Sequence, residues 1–467
     1  MFRNNINDLI GWKSRKNRRP LVLRGARQVG KTYLIREFSK MFPSFLEINF
    51  DETPNRSSLF EAETIEEIIQ LLQIEYKVKI IPGTTLLFLD EIQASPKILA
   101  KLRYFYEQMP DLHIIAAGSL LDFTLANHEF SMPVGRIEYM FMGPMTYSEF
   151  LLANDEKELL EFLNNYTINE KLPISIHEKC LKYLKYYFFV GGMPAAVKIF
   201  SETKDFNLVS IEHNIILQTI ADDFSKYQRK VDVQLLQNIF IKIPQLIGKK
   251  LKYVNINPNE RAKNIAASLN LLRLAKIIYL VKHSSGNGLP LSAETNDKKF
   301  KPLFLDIGLV LSSLNLSITD IHNVKDLTLI NSGALAEQFI GQHLLFREKS
   351  FKIPELYYWN RETAGASSEI DYLISHKNKI IPVEVKSGKT GSLKSIQVFV
   401  AKKNVQFAVR FNSDFPSLIA TKTIIPKLDK VDFDLMSLPM YLIDNFKRIL
   451  IDKKCVPGGC LDRLKKT

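Results

Sequence analysis

The chain has 467 residues, 46% hydrophobic and 24% charged, which excludes a disordered chain, a collagen or a coiled-coil rod and predicts two or three domains. Three cysteines (Cys180, Cys455, Cys460) make no disulfide framework, no apolar run reaches the roughly 18 residues that span a bilayer, and the polar residues 1–5 lack an apolar signal core, so the expected place is the cytoplasm with no membrane span. The net charge of +13 fits contact with nucleic acid or another polyanion, and equally fits a solvated lysine-rich surface.

From about residue 20 to 150, short apolar runs alternate with amphipathic windows. Strands are predicted at 20–24, 45–50, 85–89 and 113–117, with helices near 31–41, 63–77 and 95–108. This alternation predicts an α/β fold with a parallel sheet covered on both faces. The first strand runs into Gly25-Ala26-Arg27-Gln28-Val29-Gly30-Lys31-Thr32, which is G-x-x-x-x-G-K-[ST] between a strand and a helix. The glycines let the backbone N–H groups turn toward phosphates, and the next helix offers its positive N-terminus to the same anion. Lys31 would reach the β- and γ-phosphates of ATP, and the Thr32 hydroxyl would ligate Mg²⁺.

The third strand ends in Asp90-Glu91, which its apolar run pushes out at the carboxyl edge of the sheet. Asp90 is read as the Mg²⁺ carboxylate and Glu91 as the base for the attacking water, a pairing that points to hydrolysis. After the fourth strand, Ser119 has two readings: a sensor of the γ-phosphate or lytic water, and a helix N-cap. Arg136, after Gly135, is either a transition-state charge, in cis or in trans, or a surface residue.

GARQVGKT, LLFLDEIQ, AAGSLLD and the GR…GPMTYSEF segment together resemble a family of bacterial and archaeal AAA-type P-loop ATPases. Members carry a C-terminal domain of unknown function that resembles restriction-endonuclease folds. The resemblance implies ATP and Mg²⁺ as cofactors, an ATPase domain over 1–152, and a lid-like or helical spacer after it.

The middle, 153–325, reads as helical, with helices at 156–165, 174–189, 206–228, 231–246 and 258–270 and a break at 191–194. Asp222-Asp223 reads as a solvated helix face. Residues 277–281 and 298–306 flank a hairpin signal at 284–288, so helices followed by a hairpin predict a winged helix. Arg261, Lys263 and Arg273 on its third helix fit either DNA contact or interdomain packing.

Residues 326–467 return to α/β patterning, with a helix at 332–347 and strands at 356–359, 369–374, 380–386 and 406–410. Glu384 and Lys386 are two apart and share a strand face, and Asp371 on the neighbouring strand completes a carboxylate pair suited to Mg²⁺ or Mn²⁺. Lys386 would position or activate water for phosphodiester attack. The set resembles the PD-(D/E)xK nuclease core, with Glu337 as the family-like fourth residue. A fold that binds nucleic acid or protein without cutting is the other reading of this domain. The tail, from Lys447 and Arg448 through Lys453, Lys454, Arg463, Lys465 and Lys466, reads as a basic frayed end.

The expected function is an ATP-binding and ATP-hydrolysing nucleotide switch associated with nucleic acid. Two alternatives stand beside it: an ATP-gated, metal-dependent DNA nuclease, and a non-catalytic ATP-dependent regulator of a protein partner. DNA, a protein partner and a second copy of the chain are the partners weighed.

Overall fold

The computed structural model describes residues 1–119, 121, 135–227, 231–316, 332–346, 350–361, 368–389, 391–425 and 428–452. The end of the basic tail, with Cys455 and Cys460, lies outside the described residues.

The N-terminal unit is a five-stranded, all-parallel sheet in the order β2-β3-β4-β1-β5, a P-loop NTPase α/β fold. Its strands are β1 (Leu21–Arg24), β2 (Ser44–Asn49), β3 (Thr85–Asp90), β4 (His113–Gly118) and β5 (Glu138–Phe141). Helices α1 (Asn5–Lys13), α2 (Lys31–Ser39), α3 (Ile65–Tyr76) and α4 (Pro96–Gln108) cover it. Because successive side chains point to opposite faces, Leu21, Leu23, Leu86 and Phe88 enter one core cluster while Val22, Leu87 and Leu89 enter the other. Both faces are therefore apolar, and polar groups are left to the strand ends. The α3 terminus is set by a capping box between Thr64 and Glu67.

The middle is helical: α5 (Tyr147–Ala153), α6 (Lys157–Asn165), α7 (Ile174–Val190), α8 (Pro194–Thr203), α9 (Phe206–Asp222), α10 (Val233–Lys242), α11 (Tyr253–Ile256) and α12 (Ala262–Leu274). Sequence patterning did not separate α8, which begins with Pro194 directly after the Gly191-Gly192 break. Tyr187 is fully buried, donates its hydroxyl to the Met145 carbonyl at 2.5 Å and meets Phe150 edge-on, tying α7 to the end of the first sheet. Truncating it to alanine would cost about 3–5 kcal/mol.

The hairpin of β6 (Ile278–Ser284) and β7 (Thr295–Phe304) forms, but it is not a free wing. Lys282 and His283 of β6 pair in parallel with Tyr357 and Tyr358 of β8 (Tyr357–Asn360), which makes the hairpin the edge of a second sheet. That sheet is mixed and eight-stranded, in the order β12-β13-β11-β10-β9-β8-β6-β7. Its other strands are β9 (Glu369–His376), β10 (Lys379–Val385), β11 (Phe407–Asn412), β12 (Ser417–Lys422) and β13 (Asp432–Pro439). Helices α13 (Ile307–Ser313), α14 (Ser332–Leu345), α15 (Lys394–Lys403) and α16 (Phe446–Asp452) accompany it. A cut at 325/326 thus runs between strands of one sheet, and one core cluster is continuous from Leu21 through α7 to Phe411. Arg448 is not frayed: it donates to the carbonyls of Leu163 and Tyr166. Among the described residues, no helix is long and apolar enough to cross a membrane.

Candidate functional site

Strand order builds the first site. β4 lies between β1 and β3, so the P-loop, Ser119 and Asp90-Glu91 emerge side by side at the carboxyl edge of the sheet. Behind the loop, the Met142 amide donates to the Arg24 carbonyl at 2.8 Å. A Cβ on Gly25 would stand 2.4 Å from the Met142 oxygen, so only glycine fits there. Gly30 has φ of 91°, and Gln28 and Glu91 also occupy the left-handed region at 63° and 49°. Non-glycine residues held there store strain, and both flank the phosphate-facing surface.

Lys31 is buried, and its Nζ donates to the Gly25 and Ala26 carbonyls at 3.1 and 2.8 Å. Burial pulls its pKa down to about 8. Thr32 Oγ1 donates to Asp90 Oδ2 at 2.7 Å. Burial raises the Asp90 carboxyl above its ordinary range. A hydroxyl and a carboxylate in contact beside a glycine-cornered loop fit Mg²⁺ and a phosphate chain, and the buried Lys31 ammonium, held by loop carbonyls and felt by Asp90 and Glu91, adds positive charge to the same edge. Gln93, which sequence reasoning missed, donates its amide to Glu91 Oε2. Its approach depends on Gly118, where a Cβ would collide with the Gln93 Oε1 atom.

Two further contacts were not legible from the motifs. Arg3 is buried and donates to Val29 O at 2.6 Å and Gly143 O at 2.7 Å, with Glu149 at 3.2 Å, clamping the loop to the GPMTYSEF segment. Arg27 grips both oxygens of Asp223, at 2.6 and 2.5 Å. Asp223 also holds Lys226 at 2.7 Å, so it is a pairing residue and not a solvated helix face. The pair brings the end of α9 over the P-loop. A cavity of about 20 Å³ beside the pair is lined by Ala26, Arg27, Ser119, Asp223, Phe224 and Leu305.

Arg136 is elsewhere. β5 is parallel to β1, with Leu21 opposite Glu138 and Arg24 opposite Phe141. Arg136 precedes Glu138, so it stands at the amino edge of the sheet, opposite the P-loop edge. There it is exposed and pairs with Glu107 at 2.8 Å. The cis reading is corrected on this ground: the length of the sheet separates Arg136 from Lys31 in the same chain.

The second site lies in the eight-stranded sheet. Val385 N–H donates to Asp371 Oδ2 at 2.8 Å, and Lys386 Nζ donates to Glu384 Oε1 at 2.6 Å. Glu337 reaches the same cluster from α14. Two members were missed. Glu369 shares a face of β9 with Asp371, and Lys301 of β7 lies 2.5 Å from Glu369, 3.1 Å from Glu337 and 3.8 Å from Asp371. Burial, with Asp371 adding to it, lifts Glu337 to about 8 and Glu384 to about 7. Burial works upward on Glu369 too, but Lys301 and Lys250 hold it below its ordinary range. Burial works against charge on Lys301, yet Glu337, Asp371 and Glu369 keep its pKa well above the ordinary value. Among the described residues, no group of three histidines, cysteines or acids stands arranged to hold a metal ion.

Residues 17–151 match a family model described as AAA domain. Residues 181–320 and 332–426 match two described as domains of unknown function (DUF8612 and DUF4143). The N-terminal unit is therefore an AAA-type P-loop domain. Comparison with curated proteins gives no match. Among solved structures, the Walker-type ATPase PABY2304 of Pyrococcus abyssi is similar at 17% identity and TM-score 0.42, over 66% of this chain and 94% of its own. The Aeropyrum pernix ORC2 protein is similar at 10% and 0.34, over 69% and 96%. The Aeropyrum pernix ORC1 protein, solved in complex with DNA, is similar at 14% and 0.30, over 68% and 93%.

Proposed function

We propose that the chain hydrolyses ATP and uses it as a conformational switch. The observation that carries this reading is the P-loop edge: Thr32 meets Asp90 there, the Lys31 ammonium lies buried against the loop, and the Arg27–Asp223 pair ties the end of α9 to it. A nucleotide whose phosphates take Arg27 from Asp223 frees the end of α9, which couples binding to movement.

In this reading the loop 25–32 binds the phosphates through its backbone N–H groups, and Lys31 neutralises β- and γ-phosphate charge. Thr32 and Asp90 would hold Mg²⁺, and the ion would supply positive charge to the phosphate oxygens. Glu91, oriented by Gln93, takes a proton from water as its oxygen attacks the γ-phosphorus and the bond to the bridging oxygen breaks, giving ADP and phosphate. Ser119 offers a hydroxyl beside that water. Arg136 enters only from a second copy of the chain. The moving cover reaches the second sheet through β7, which carries Lys301 and is followed by Leu305 in the wall of the P-loop cavity.

Nucleic acid is the proposed partner. Lys249, Lys252, Arg261, Lys263 and Lys298 are all exposed. The 249–252 segment is joined to β7 by the Leu251 amide on the Phe300 carbonyl at 2.9 Å, which sets several of these cations near the carboxylate cluster. Exposed cations are what a phosphate backbone binds. The convergence of Glu337, Asp371, Glu384 and Lys386 favours a second reading, a metal-dependent PD-(D/E)xK-like nuclease in the C-terminal domain. Phosphate release from Mg-ATP, with and without plasmid DNA at low salt, tests the first reading. Turnover that DNA stimulates is expected. A folded protein that releases no phosphate ends the hydrolysis reading, and turnover indifferent to DNA ends the nucleic-acid part.

A further inference from the structure

β7 carries Lys301 out of the edge hairpin into the carboxylate cluster, where its surroundings are those of a bound cation. The side chain is 4% exposed, and its Nζ lies 2.5 Å from Glu369 Oε1, 3.1 Å from Glu337 Oε2 and 3.8 Å from Asp371 Oδ1. The ammonium also faces the Tyr358 ring, 5.4 Å from its centre. Lysine is seldom buried this fully, and only beside opposite charge. The acids come from separate elements: Glu337 from α14, Glu369 and Asp371 from one face of β9, and Glu384 from β10.

Glu384 supplies an independent sign that the cluster is short of a cation. It is 3% exposed, and its Oε1 takes the Lys386 ammonium at 2.6 Å. Its Oε2 is buried with no hydrogen-bond partner. A buried carboxylate oxygen without a donor is costly, and converging carboxylate oxygens are what a hard divalent cation takes as ligands. Lys301 serves three acids and leaves this oxygen unserved.

We propose that the Lys301 ammonium is a built-in counter-ion standing where a divalent cation would sit among Glu337, Asp371 and Glu384, and that it excludes Mg²⁺ or Mn²⁺ while the β6–β7 hairpin stays in the sheet. An ammonium held among the same carboxylates occupies their oxygens and repels an incoming cation, and a buried site screens that repulsion little. The hairpin that carries the plug lies at one edge of the sheet. β7 is its terminal strand, and β6 joins β8 through two residue pairs. The proposal rests on the metal-site half of the second reading above and requires no cutting of nucleic acid.

The test is a nucleotide-free titration of the full-length chain with Mn²⁺ alone, followed by the electron paramagnetic resonance signal of free Mn²⁺. Lys301→Met removes the ammonium at similar volume. Lys301→Met with Glu369→Gln also removes the acid nearest to it, so that one variant keeps a balanced cluster if the other fails to fold. Wild type should leave the cluster without Mn²⁺. The folded variants should gain at least about tenfold in affinity, the effect of roughly 1.4 kcal/mol. Adding Asp371→Ala should abolish the gain. Wild type that binds Mn²⁺ at a site lost in Asp371→Ala keeps the metal site and overturns the plug. Folded variants that bind no more than wild type overturn both.

Discussion

Replacing Asp223 by asparagine should strengthen nucleotide binding, although Asp223 touches no expected phosphate ligand except Arg27. In the closed structure both carboxylate oxygens of Asp223 hold Arg27, a P-loop residue, and Lys226 adds a second cation. Arg27 keeps 41% side-chain exposure, so water screens the pair, and its worth is about 1 kcal/mol. A nucleotide must break that pair, and its phosphates also meet the repulsion of a nearby carboxylate. Removing both obstacles should tighten ATP binding about fivefold. Calorimetric titrations at 0.1 M salt in wild type, Asp223→Asn, Arg27→Ala and the double variant close a mutant cycle. The gain should vanish in the Arg27→Ala background and shrink at high salt. Unchanged or weaker binding in Asp223→Asn, or a gain that survives Arg27→Ala, refutes the latch.

Glu91→Gln should bind ATP as wild type does while turnover falls by roughly 10²-fold or more, as measured by phosphate release, because the amide cannot take the water's proton. Arg136→Ala should leave ATP affinity and dilute-protein turnover at parental values, since the residue stands at the far edge of the sheet; a tenfold loss would indicate that a second copy supplies it. His213 is buried, its Nε2 lies 3.0 Å from the Val190 carbonyl, and burial pulls its pKa down to about 4. Its folded pKa lies below the unfolded value near 6.5, so its contribution is present above that pH and is lost as pH falls toward 4, to a limit of about 3 kcal/mol. Denaturant unfolding across that window should be less acid-sensitive in His213→Leu than in wild type, and equal slopes would contradict the assignment.

The parts of the molecule that sequence disclosed were local ones. The span from Gly25 to Thr32 and the Asp90-Glu91 pair are short motifs whose strand and helix neighbours are themselves readable from apolar patterning. Whether Arg136 acts in cis stayed open in the sequence because patterning gives a strand's existence and not which end of it lies beside the P-loop; the parallel β1–β5 register decides that. Asp223 was passed over because its partner, Arg27, is 196 residues away. The hairpin was legible as a hairpin, but its seat in the second sheet depends on the Lys282–Tyr357 and His283–Tyr358 pairs with a strand far along the chain. Two omissions had a usable signal. Glu369 is two residues before Asp371 and so had to share its face. Lys301 interrupts the apolar run from Phe300 to Leu305, where a solvated lysine has no room.

The central claim, that the P-loop takes ATP and opens the helical cover, is tested most directly by calorimetric titration of Mg-ATP into wild type and Lys31→Ala. Lys31 is the buried ammonium held by the Gly25 and Ala26 carbonyls, and losing its charge-assisted contacts should cost about 3 kcal/mol, roughly 150-fold in affinity. Saturable one-site binding in wild type with that loss in the variant is the predicted result. Equal affinity in the two proteins, or no binding by folded wild type, would contradict it.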